Sequence, residues 1–171
     1  KAFSGNDSHL NDLLSAGFAD EPILRSINWV LSLPKIPEIH YNRWSIFDRA
    51  IELCDKSRPF YEYGVWMGDS FKYLMKSFNK GYGFDTFEGL PEDWGPVPKG
   101  TYSSFGKVPD IKGGEFIVGE FEHSLPRFFA EKRPFAGLIN FDADLYASTL
   151  CALVHSKPVI DGKTVLIFDE F

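Results

Sequence analysis

Two apolar runs in this sequence each release a pair of carboxylates. Phe135 to Phe141 (FAGLINF) leads into Asp142-Ala143-Asp144, and Thr164 to Phe168 (TVLIF) leads into Asp169-Glu170. If the runs are neighbouring buried strands, several carboxylate oxygens aim at one point. Left uncompensated, that cluster repels itself, and a hard divalent cation is its natural remedy. The plainer alternative is that Asp144 caps the helix after it and Glu170 faces solvent.

A second concentration of candidate chemistry lies upstream. Glu62-Tyr63-Gly64-Val65-Trp66-Met67-Gly68-Asp69-Ser70 runs from a short strand into a helix. Gly64 and Gly68 permit a tight turn and close backbone approach, and Ser70 offers a hydroxyl and a helix N-terminus to an anionic group. An ordinary strand–helix turn is the competing reading. The dinucleotide pattern G-x-G-x-x-G is not met, because Trp66 stands where its second glycine would let backbone reach a pyrophosphate. A ligand lacking pyrophosphate therefore fits better. Asp85 ends the next strand, 21 positions beyond Gly64. An acid at that distance can accept hydrogen bonds from both ribose hydroxyls of a nucleoside. Val118-Gly119-Glu120-Phe121 ends a third strand, where an adenine could lie against apolar side chains.

These residues need a frame that brings strand ends together, and the chain alternates accordingly. The expected order is strand Phe60–Tyr63, helix Ser70–Phe78, strand Tyr82–Asp85, strand Phe116–Val118, helix Ser124–Lys132, strand Phe135–Phe141, helix Ala147–Lys157 and strand Thr164–Phe168. Repeated strand–helix alternation predicts an α/β fold, a doubly wound sheet of mainly parallel strands with right-handed crossovers. Ligands in such sheets bind at the carboxyl ends of the strands, where all the residues above fall. Apolar residues at helical spacing predict a further helix over Trp44–Asp55. Residues 1–43 read as an N-terminal helical annex, with helices from Ser8 to Ala16 and from Pro22 to Leu33 and an extended connector at Pro34-Lys35-Ile36-Pro37. Residues 44–171 read as the α/β domain. Residues 88–114 lack periodicity and are rich in glycine and proline. Such a stretch either closes over a ligand with Trp94, Tyr102 and Phe105 or is a mobile insertion.

Composition narrows the functional classes. With 171 residues, 44% hydrophobic, the chain fits one ordinary domain with a real core. A net charge of −6 argues against a nucleic-acid partner, and no apolar run approaches membrane-span length. Two cysteines suit a reducing compartment, so the expected location is cytoplasmic. The start at Lys1, without a signal-peptide pattern, reads as a trimmed piece.

Taken together, YEYGVWMGDS (61–70), GFDTFEGLP (83–91), VGEFEHSLPRFF (118–129), FDADLYAST (141–149) and TVLIFDEF (164–171) resemble the class I S-adenosylmethionine-dependent methyltransferases. The likeness is to the macrocin-O-methyltransferase branch, which acts on sugar hydroxyls. It implies a Rossmann-like methyltransferase sheet and an O-methyltransferase acting on a small-molecule acceptor. It also implies that Gly64 and Gly68 approach the methionine part of the cofactor, with Ser70 near its carboxylate and Glu62 supporting the loop or the amino group. Asp85 would hold the ribose, and Gly119, Glu120 and Phe121 would border the adenine. A magnesium ion would sit among Asp142, Asp169 and Glu170 and fix the acceptor hydroxyl, with Asp142 or Asp144 taking its proton.

The sequence also departs from that pattern. No histidine falls in residues 88–114, and His123 is the nearest substitute base. The annex carries only a general likeness, which leaves Tyr41 and Arg43 as candidate lid residues. The family's last strands are absent after Phe171, so β-strand five would be an edge that a homo-oligomer could cover. Two other readings compete with this one. Asp142-Ala143-Asp144 also looks like the D-x-D motif of a nucleotide-sugar glycosyltransferase, and a truncated chain could bind cofactor without turnover.

Overall fold

The computed structural model describes residues 21–35 and 37–169. The helix expected over Ser8–Ala16 lies outside them, as do Ile36, Glu170 and Phe171. Contacts part the chain between Tyr41 and Asn42. Before that point the described chain forms helix α1 (Pro22–Ser32), with proline in its first turn and Leu33 already extended.

After it come α2 (Arg43–Leu53), β1 (Phe60–Tyr63), α3 (Asp69–Leu74), β2 (Gly81–Asp85), β3 (Gly114–Val118), α4 (Phe121–Phe128), β4 (Leu138–Phe141), α5 (Tyr146–Ser156) and β5 (Val165–Phe168). The strands form one sheet in the order β3-β2-β1-β4-β5, and every neighbouring pair is parallel. This is the expected α/β architecture. The order reverses between β1 and β4, which opens a crevice at their carboxyl ends.

The period-2 alternation of the strands divides the core between two faces. On one face Phe60 and Leu138 pack with Phe47 and Ile51 of α2 and with Phe71 and Leu74 of α3. On the other, Tyr61, Tyr63, Phe84, Ile139 and Phe141 pack with Leu125 and Phe128 of α4 and Ala152 of α5. Here a row of rings crosses the sheet. Phe84 stacks on Tyr63 at 4.8 Å, Tyr63 on Phe141 at 5.3 Å and Phe141 on Phe168 at 4.7 Å. The buried Tyr63 hydroxyl is satisfied by Ser156 Oγ at 2.6 Å.

Several boundaries differ from the sequence expectation. Helix α3 stops at Leu74, and the chain to Phe78 continues in tightened turns in which Ser77 N donates to Leu74 O. Helix α4 begins at Phe121, because Gly119 at φ 130° ends the strand and extended Glu120 serves as N-cap. Strand β4 begins at Leu138, since Gly137 N is bonded to Pro59 O and Ala136 N to Val159 O, outside the ladder. Among the described residues no helix is long and apolar enough to cross a membrane.

Residues 88–114 are folded back and tied down. The carbonyl of fully buried Phe87 accepts hydrogen bonds from Ser104 N and Gly106 N, and Leu90 and Thr101 pair at 2.9 Å.

Candidate functional site

The end of β1 is built from backbone amides. Gly64, at φ 87°, crosses so close to β4 that a Cβ there would lie 1.7 Å from the Asp142 carbonyl oxygen. Only glycine fits, for space and for conformation alike. Beyond it Val65 N and Trp66 N both donate to Asp85 Oδ2, at 2.6 and 2.7 Å, and Phe87 N donates to Oδ1 at 2.7 Å. Trp66 itself is held at φ 49°. The acid after β2 thus organises the glycine loop: its Oδ2 is filled by two amides, and Oδ1 keeps one lone-pair site. Gly68, at φ 79°, is the N-cap of α3 and delivers Ser70.

Behind the loop lies Glu62, fully buried on β1. Its register partner on β4 is Asn140, whose Nδ2 donates to Glu62 Oε1 at 2.8 Å. Glu62 Oε2 and Asn140 Oδ1 are both buried without a hydrogen-bond partner. Burial pushes the Glu62 carboxyl up to about 8, outweighing the pull of Asn140 and Ser70. Glu62 is therefore largely protonated at neutral pH, and the proton turns one of two orphaned acceptors into a donor.

The other side of the crevice is built from charged side chains. Asp142 and Asp169 extend the ladder past β4 and β5, with Asp142 N donating to Tyr63 O and Asp169 N to Phe141 O. The guanidinium of Arg43 meets both. Its Nη2 donates to Asp142 Oδ2 and lies 3.8 Å from Asp169 Oδ1. Burial raises Asp142 to about 6; Arg43 works against that rise, whereas Asp169 and Asp144 add to it. Asp144, at φ 57°, is also raised by burial and then by Asp169 and Asp85.

A cavity of about 590 Å³ joins the two sides. Of the residues singled out in the sequence, Gly64, Ser70, Asp85, Glu120, Phe121, Asp142, Asp144 and Asp169 line it. Glu62, Gly68 and Gly119 are not among its lining residues. Glu62 is bonded to Asn140, Gly68 N to Val65 O and Gly119 N to Asp85 O. Glu170 lies outside the described residues. His123 stands apart, paired with Glu120 at 3.5 Å on an exposed helix face.

The 88–114 segment contributes a wall through Leu90, Trp94 and Tyr102, and the Tyr102 ring meets Trp66 edge-on at 5.7 Å. Phe105 is 85% exposed and takes no part. The sequence missed Trp44, Trp66 and the anchoring reach of Arg43. A helix that leads by a short loop into β1 runs antiparallel to it, so its first turn must sit at the strand carboxyl ends. That is the signal that points to Arg43.

Two expected ligands can be tested against this geometry. The glycine loop, with its tight approach at Gly64 and a cavity of suitable size, fits a nucleoside-type cofactor. Of the three ligands expected for magnesium, only Asp142 and Asp169 fall within the described residues. Among the described residues no three metal-binding side chains come together, and Asp142 and Asp169 already share a guanidinium.

Sheet order, glycine loop and the acid after β2 define a Rossmann-like fold of the methyltransferase type. The calicheamicin methyltransferase CalS11 has this fold. Its structure matches at a TM-score of 0.60 and 20% identity, covering 98% of this chain and 79% of that one. A second CalS11 structure, described as the apo form of a TDP-rhamnose 3′-O-methyltransferase, matches at 0.51 and 22% over the same shares. An rRNA methylase from Streptococcus thermophilus matches at 0.50 and 17%, covering 79% of this chain and 75% of its own. At these identities the likeness is one of fold. No protein-family model and no curated protein matches the chain. Nothing in these matches supports the glycosyltransferase reading.

Proposed function

We propose that the chain is an S-adenosylmethionine-dependent O-methyltransferase acting on a hydroxyl of a sugar or similar small molecule. The observation that carries this reading is the opposition, across one cavity, of an amide-built loop clasped by Asp85 and the carboxylates Asp142 and Asp144. The likeness to CalS11 in fold supports the choice of a sugar hydroxyl.

When bound, the cofactor supplies an electrophilic methyl group on a sulfonium. Gly64, Gly68 and Ser70 would receive its methionine part, with protonated Glu62 behind them. Asp85 would take the ribose through the one lone-pair site left on Oδ1, and Gly119, Glu120 and Phe121 would border the adenine. The acceptor hydroxyl must lose a proton as it attacks, and Asp142 or Asp144 would take it. Trp94 and Tyr102 exclude water from that side of the cavity.

Calorimetric titration with S-adenosylhomocysteine tests the reading, with a sugar nucleotide as control ligand. Micromolar binding of the first and none of the second is expected. Binding of the sugar nucleotide alone would overturn it.

A further inference from the structure

We infer that Arg43 is the built-in counter-cation of the Asp142–Asp169 pair, and that it keeps divalent cations out. The geometry is specific. One guanidinium nitrogen touches Asp142 Oδ2 and lies 3.8 Å from Asp169 Oδ1, so a single side chain spans the ends of two neighbouring strands. Three local features put it there. The Asn42 side chain accepts from Trp44 N and so starts α2 with Arg43 as its first residue. The helix packs against β5. The guanidinium also lies over the Phe47 ring, one turn along, at 5.8 Å.

A cation in the first turn of a helix is opposed by the helix dipole, so Arg43 is held by its carboxylates and not by its helix. Those carboxylates, chiefly Asp142, raise its pKa even though burial works to lower it.

A hard cation and this guanidinium compete for the same two carboxylates. Magnesium binds through carboxylate lone pairs and gives up its water reluctantly. Guanidinium is weakly hydrated and matches carboxylate geometry, so it desolvates more readily into a half-buried pair. Joint occupancy is disfavoured, because the two charges would repel at close range. A divalent ion must therefore compete with Arg43, and Asp142, with only 16% of its side chain exposed, offers it little other access.

The test is titration of the full chain with Mn²⁺, read from the spin-resonance signal of the free aquo ion, in the absence of cofactor. Arg43→Gln should bind Mn²⁺ at least about tenfold more tightly than the wild type, since one positive charge leaves the pair. Adding Asp142→Asn should abolish that gain. Arg43→Met, which keeps the packing on Phe47, serves if the glutamine variant does not fold. Unchanged or weaker Mn²⁺ binding in a folded Arg43 variant would overturn the inference. So would wild-type binding tighter than about 100 μM, a level expected only of an unblocked site. The measurement involves no cofactor, so its failure leaves the methyltransferase reading intact, and a failure of S-adenosylhomocysteine to bind leaves this one intact.

Discussion

At the ends of β1 and β2 the polar groups are backbone amides gathered by one carboxylate. At the ends of β4 and β5 they are carboxylates gathered by one guanidinium. The first arrangement is local: Asp85 reaches amides 20 and 19 residues upstream and two residues downstream. Its shape follows from glycine conformations that few other residues can adopt. The second is long-range, since Arg43 and Asp142 are 99 residues apart. Its charge balance hangs on one flexible side chain. The glycine-loop half should therefore be rigid and intolerant of backbone change, and the carboxylate half adjustable and sensitive to charge.

The sharpest way to break this contrast is Gly64→Ala. The added methyl meets the Asp142 carbonyl, and φ is positive, so backbone must move. We expect stability to fall by about 3–4 kcal/mol, with loss of measurable S-adenosylhomocysteine binding, as read by thermal unfolding and calorimetry. Asp85→Ala comes next, because it releases three amides at once. A loss of about 2–3 kcal/mol is expected, together with a ten- to hundredfold weaker cofactor affinity on the order of the same free energy. Affinity within error of the wild type would remove the proposed ribose role of Asp85.

Asp142→Asn probes the other side. Turnover should drop by about 100-fold, the usual scale for a lost proton acceptor, and cofactor affinity should stay within about threefold. Equal losses in both would mean that the halves are not separable.

The smallest effect is expected at Glu62, which sits under the boundary between them. Its carboxyl titrates near 4.5 when exposed and near 8 when folded. The folded state therefore holds a proton that the unfolded state has released, and stability declines as pH rises from about 4.5 to 8. Glu62→Gln removes that decline. In urea melts the variant should gain on the wild type as pH rises from about 5 to about 8. A parallel pH dependence in both proteins would show that Glu62 is ionised when buried.

The fold was largely legible because apolar runs such as Leu138–Phe141 and Val165–Phe168 are too short for helices and too continuous for an exposed sheet. The site residues were legible because they follow those runs directly. What the sequence hid was partnership. Asp85 reads as a ribose acceptor, and only the folded loop shows three amides converging on it. Arg43 reads only as a candidate lid residue at the end of the annex, and the carboxylate it reaches lies 99 residues further along the chain. The 88–114 segment has no period to read, because its order comes from irregular bonds to single carbonyls such as that of Phe87.

The row of stacked rings has a consequence for the precision of the site. Phe84, Tyr63, Phe141 and Phe168 are each followed immediately by a residue that lines the crevice: Asp85, Gly64, Asp142 and Asp169. The rings lie within 17° of parallel at each step. They act as a spacing gauge beneath the chemistry, setting the pitch at which the functional groups stand like teeth on a comb. Trimming a ring would leave each tooth its chemical identity while changing its distance from the next.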